Sequence, residues 1–130
     1  MKKTSLLNAA LSHTIAKLGH GDILVIADAG LPVPPGVQCI DLALTANIPR
    51  FEDVLRVVLS EMQVESATLA KEIETANPLV LVQAKSLLTC PTQYLSHQDF
   101  KVLCENARAI VRTGEFSPYA NVALHAGAVF

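Results

Sequence analysis

Leu18-Gly19-His20-Gly21-Asp22-Ile23-Leu24-Val25-Ile26-Ala27-Asp28-Ala29-Gly30-Leu31-Pro32-Val33-Pro34 is the stretch from which the fold can be read. Ile23 to Ala27 is apolar at every position. A strand with one wet face alternates polar and apolar residues, whereas a strand covered on both faces reads as a continuous apolar run. Glycines interrupt the chain before this run, and Gly and Pro interrupt it after Asp28. The run is also far too short to cross a membrane.

On the N-terminal side, Leu7, Leu11, Ile15 and Leu18 recur at helical spacing. They predict an amphipathic helix closed by Gly19 in the left-handed conformation. On the C-terminal side, Val37 to Leu44 reads as a second strand. Phe51, Val54, Leu55, Val58 and Met62 form a helical stripe entered after Pro49. Glu65 to Ala70 reads as a strand. Asn77-Pro78 reads as an N-cap with Pro at the first helical position, opening a helix to about Leu88. Thr92 to Leu95 is a short strand. Ser96 and Asp99 resemble a capping box for a helix that buries Phe100, Leu103, Cys104 and Ala107. Ala109 to Arg112 and Asn121 to Leu124 complete the strands. Strands alternating with helices predict an α/β fold: a three-layer sandwich with a mixed, largely parallel central sheet. With no repeat, linker or low-complexity segment, residues 1–130 read as a single domain.

Apolar residues make up 51% of the chain and charged residues only 17%, against about 25% charged in a typical soluble domain. A short chain with this balance points to burial against other subunits. The net charge of −2 and the absence of basic runs argue against nucleic acid. Lys2-Lys3 precedes an apolar stretch broken by Asn8, Ser12 and His13, which reads as neither an export signal nor a membrane anchor. Cys39, Cys90 and Cys104 are odd in number and form no Cys-x-x-Cys, which suits a reduced cytoplasmic protein with buried thiols.

The polar residues that interrupt this apolar chain fall where elements stop, which is where chains place chemistry. His20 lies between two glycines, open to a ligand, and reads equally as a loop residue beside a helix end. Asp28 ends an apolar strand, where α/β sheets gather ligands, or it caps the turn that follows through its own side chain. His97 follows Ser96 at a helix start, as a neutral hydrogen-bonding imidazole or as a solvated first-turn residue. Tyr119 and Asn121 share one face if the chain there is extended, lining a pocket or an edge strand. His13 reads as solvated and His125 as structural. The histidines have no metal-ligand spacing, and there is no phosphate loop and no nucleophile elbow, so neither metal nor cofactor is expected.

Five motifs together resemble the D-ribose pyranase family. They are Leu18-Gly19-His20-Gly21-Asp22, Asp28-Ala29-Gly30-Leu31-Pro32-Val33-Pro34, Glu61-Met62-Gln63-Val64-Glu65, Arg112-Thr113-Gly114-Glu115 and Ser117-Pro118-Tyr119-Ala120-Asn121. The resemblance runs from Lys2 to Phe130. It implies interconversion of the pyranose and furanose forms of D-ribose, and a ring-shaped homo-oligomer, often decameric, with sites between neighbouring subunits. It also implies His20 as the catalytic residue and Asp28, His97, Tyr119 and Asn121 as sugar contacts. Gly21 stands where many ribose pyranases have Thr, and Gly-His-Gly-Asp is also similar to the fucose mutarotases, whereas Asp28 to Pro34 is similar to the ribose branch. A mutarotase for another sugar such as L-fucose, a non-catalytic sugar-binding subunit and a purely structural ring protein are the alternatives.

Overall fold

A computed structural model describes residues 1–130. Its elements are α1 (Ala9–Lys17), β1 (Ile23–Ala27), β2 (Gln38–Asp41), α2 (Phe51–Glu61), β3 (Val64–Ala70), α3 (Ile73–Ala76), α4 (Pro78–Leu87), β4 (Thr92–Leu95), α5 (His97–Cys104), β5 (Ala109–Arg112) and β6 (Val122–Ala126). The strands form one six-stranded sheet in the order β2-β5-β1-β6-β3-β4. β1 pairs in parallel with β5, β5 with β2, and β3 with β4. Only β6 runs the other way, inserted antiparallel between β1 and β3. The sheet is therefore mixed and largely parallel.

Alternate residues of the central strands feed two separate cores, as the period of a strand requires. Leu24, Ile26, Val111, Val122 and Leu124 face the larger core, filled by Leu11 of α1, Phe51, Leu55 and Val58 of α2, Ile73 of α3 and Val80 of α4. Val25, Ala27, Ile110 and Ala123 face the smaller one, closed by Phe100 and Cys104 of α5 and by Leu31. Helices on both faces of the sheet make the expected three layers. They also explain why Ile23 to Ala27 carries no polar residue.

Several local expectations are corrected. Leu7 lies outside α1 and is exposed, because Asn8 caps the helix by accepting the Leu11 N–H at 2.9 Å. Leu18 leaves α1 in an extended conformation, and the left-handed residue is Gly21 (φ 85°), not Gly19. β2 is shorter than Val37 to Leu44. Short α3 was not foreseen. Asn77 makes no side-chain cap on α4. Ser96 does cap α5, accepting the Asp99 N–H at 3.1 Å, but the Ser96 N–H receives no return bond from Asp99. The thiols are not all buried, since Cys104 is buried and Cys39 is exposed. No helix is long and apolar enough to cross a membrane.

Candidate active site

The carboxyl ends of β1 and β4 lie along one edge of the sheet, and because β6 is antiparallel, its start lies there too. Asp28 follows β1 directly, and Asn121 directly precedes β6. The Asp28 N–H donates to Asn121 Oδ1 at 2.8 Å, and Asn121 Nδ2 donates back to Asp28 Oδ2 at 3.1 Å. Asp28 Oδ1 meanwhile accepts the Gly30 N–H at 2.9 Å, so Asp28 also caps the turn after β1. Burial pushes the Asp28 carboxyl above the ordinary carboxylate range, against the pull of the Gly30, Asn121 and Leu31 donors and the nearby His97.

His97 starts α5 at the end of β4. Its backbone N–H is held by the Glu72 carboxylate, at 3.1 and 2.8 Å from the two oxygens. Its ring meets Tyr119 edge-on, with centroids 5.0 Å apart and planes at 80°. Nδ1 of His97 is buried and has no hydrogen-bond partner within the chain, an unfavourable position for a polar atom. The expectation of an extended Tyr119–Asn121 segment is corrected. Tyr119 is left-handed (φ 57°), and the Asn121 N–H turns back to the Tyr119 carbonyl at 2.9 Å. The tight turn sends the carboxamide inward to Asp28 and the phenol ring across to His97. The two side chains thus reach the same edge by a different backbone route.

A part-buried network fixes the loop that carries Tyr119. Asn77 Nδ2 donates to Ser117 Oγ at 2.9 Å and to the Pro118 carbonyl at 2.8 Å. Ser117 Oγ donates to Glu115 Oε2 at 2.7 Å, while Glu115 Oε1 accepts the Phe51 N–H at 3.0 Å. The buried Glu115 carboxylate therefore satisfies the start of α2, a favourable place for an anion, and also holds the site loop. A cavity of about 400 Å³ opens beside this loop, with Asp28, Gly30, Arg112 and Ser117 in its wall and Phe116 at its side. A similar cavity of about 420 Å³, lined by His13, Lys17 and Arg108, contains none of the candidate residues. Size alone does not single out the site.

His20 lies at the opposite edge of the sheet. Its turn is built by Asp22, which accepts the Gly19 N–H at 2.8 Å and pairs with Arg108 Nε at 3.0 Å. That backbone donor, and then the guanidinium, hold the Asp22 carboxyl below its ordinary range. The exposed His20 ring places Nε2 2.7 Å from Glu65 Oε2. The five residues of β1, roughly 13 Å of strand, stand between His20 and Asp28. One chain therefore unites Asp28, His97, Tyr119 and Asn121 and leaves His20 apart. His125 is structural, with Nε2 3.1 Å from the buried Thr68 Oγ1, which also accepts from Gln93. Burial lowers its pKa. His13 is solvated. Glu65, Glu115 and Arg112 lie in the quoted motifs, but nothing in their local sequence marks the contacts they make, and Asn77 follows a cap pattern while its carboxamide serves the site loop.

The model of the RbsD / FucU transport protein family matches residues 1–129. A D-ribose pyranase of Pseudomonas putida (strain W619) is 62% identical, with all of both chains covered. Among solved structures, Bacillus subtilis RbsD complexed with D-ribose superposes with a TM-score of 0.97 at 47% identity, covering all of both chains. The fucose mutarotase of Streptococcus pneumoniae in complex with L-fucose superposes with a TM-score of 0.75 at 28% identity, again over all of both chains.

Proposed function

The chain belongs to the RbsD / FucU transport protein family, and from that premise we propose that it is a D-ribose pyranase, interconverting the pyranose and furanose forms of D-ribose. The ribose branch is favoured over the fucose branch by the higher identity and closer superposition of its members. We read residues 1–130 as one sugar-ring isomerase domain, since both cores share a single sheet.

The observation that carries the reading is the convergence of Asp28, His97, Tyr119 and Asn121 on one edge, with Asp28 also in the wall of a cavity of about 400 Å³. A carboxylate, a carboxamide, a phenol and an imidazole suit an uncharged polyol. Asp28 accepts from sugar hydroxyls, His97 and Tyr119 flank it, and Asn121 completes the cradle from behind by holding the Asp28 carboxylate. His20 is the catalytic residue and is delivered by a neighbouring subunit, which would bring its edge of the sheet against the Asp28 edge. Ring opening takes a proton from the anomeric hydroxyl and gives one to the ring oxygen as the C1–O bond breaks. Reclosure through a different hydroxyl returns both protons. One C–O bond breaks and another forms, the protein moves only protons, and the scheme calls for no metal or nucleotide.

The assembly we infer is a closed ring, taken as a decamer. Exposed apolar side chains support burial between copies, with Leu79 and Val82 of α4 69% and 66% exposed and Phe116 71% exposed beside the cavity. Three free thiols suit a reducing, cytoplasmic setting. Saturation-transfer NMR of ribose tests the function. Faster exchange between ring forms is expected with wild-type protein. His20→Ala should lose roughly 10²-fold or more of that acceleration while keeping sugar binding. No acceleration by folded wild-type protein would refute the assignment.

A further inference from the structure

We propose that Glu65 is the positioning residue for His20: its carboxylate orients the imidazole and holds the proton on Nε2, so that Nδ1 is the nitrogen offered to the sugar. This rests on the reading of His20 as the catalytic residue and goes beyond it by assigning the ring's partner and tautomer.

The first support is contact. His20 Nε2 and Glu65 Oε2 are 2.7 Å apart, the short separation of a charge-assisted hydrogen bond. An ionised carboxylate can only accept, so Nε2 must donate, and Nδ1 is left with its lone pair. The same carboxylate stabilises the imidazolium formed when Nδ1 takes up a proton, as an orienting acid does in a catalytic triad.

The second support is the backbone. Val64 pairs with Ala126 and Ser66 with His125, so β3 has one residue more than β6 between these pairs, and that residue is Glu65. A bulge of this kind re-aims a side chain, and bulges are common beside active sites. Both segments are also tied to Ala126. The Gly21 N–H donates to the Ala126 carbonyl at 2.8 Å, and the Ala126 N–H donates to the Asp22 carbonyl at 2.8 Å. The turn carrying His20 and the bulge carrying Glu65 are thus located by one residue of β6.

The third support is Gly127. A Cβ there would stand 3.1 Å from Glu65 Cβ, so the bulge would have to give by a few tenths of an ångström. The glycine leaves Glu65 room to reach His20.

The test compares Glu65→Gln, His20→Ala and the double variant, using ribose exchange by NMR and ribose binding by calorimetry. Glu65→Gln keeps the shape and removes the charge. It should slow exchange about tenfold or more, by analogy with the partners that orient metal-ligating histidines, with the ribose Kd unchanged. The double variant should be no slower than His20→Ala, because Glu65 acts only through His20. Nitrogen-15 shifts of His20 should report the Nε2–H tautomer in the wild type. Wild-type exchange in Glu65→Gln with His20→Ala still impaired overturns the role of Glu65 and leaves His20 standing. A further loss in the double variant, or a proton found on Nδ1, overturns it too. Full activity in His20→Ala overturns the underlying reading instead. If Glu65→Gln does not fold, Glu65→Asp keeps the charge one methylene short and should slow exchange at unchanged Kd. A wild-type rate there, with His20→Ala impaired, overturns the positioning role.

Discussion

Asp28 and Asn121, 93 positions apart in the chain, hold each other through two hydrogen bonds running in opposite directions. The carboxylate thereby enters the site with one oxygen already steered by a fully buried carboxamide.

Asn121→Asp removes that donor and sets a second carboxylate against the first. Ribose affinity should fall at least tenfold. Stability should fall by about 1.5–3 kcal/mol, the range for a hydrogen bond to a charged group. Calorimetric titration and urea unfolding measure the two effects.

The acid limb of ribose binding should lie above the ordinary carboxylate value of 3.8, because burial raises the Asp28 pKa and a protonated Asp28 loses acceptor capacity. The stability effect has the opposite sense. Between 3.8 and the raised value the folded chain holds more protons at this group than the unfolded chain, so its contribution to stability declines as pH rises through that window. Asp28→Asn should remove both slopes, read from binding and unfolding measured across acidic pH.

Mixing should restore activity that neither parent has. His20→Ala subunits keep the Asp28 edge, and Asp28→Ala subunits keep His20. If the two edges meet between copies, random co-assembly of equal amounts gives about a quarter of sites with both intact residues. Exchange NMR on co-refolded protein measures the recovery. An inactive mixture of properly assembled oligomers would place the whole site within one chain.

Cys104 should resist alkylation in the native protein near pH 8, since burial lifts its thiol to about 11 and the side chain is 1% exposed. Exposed Cys39 should label first, and Cys104 only after unfolding. Mass spectrometry of native and urea-treated samples distinguishes them. Early labelling of Cys104 would mean that α5 opens readily.

The sheet was legible where burial is continuous. Ile23 to Ala27 and Ala109 to Arg112 are strands at the expected bounds because a two-sided core writes itself as an apolar run, unbroken in the first and reaching Val111 in the second. Of the candidate site, residue types and motifs could be read. Its geometry could not. Asn-Pro is a local cap pattern, but the Asn77 carboxamide goes to Ser117, 40 positions away. Tyr119 is left-handed without being glycine, so nothing in its residue type marks the turn. The bulge at Glu65 is a property of register against β6, which exists only once β3 and β6 have paired.

β1 places the histidine turn at one end and Asp28 at the other, with a rigid strand between them. If these are the two halves of one reaction centre, a lone protomer owns a complete set of parts and no working centre. Each copy then has a valence of two, giving a histidine in one direction and a sugar cradle in the other. An open stack leaves an idle part on each terminal copy, and only a closed assembly employs them all. Specific activity would then gauge closure, and simple dilution would silence the protein while every subunit remained folded.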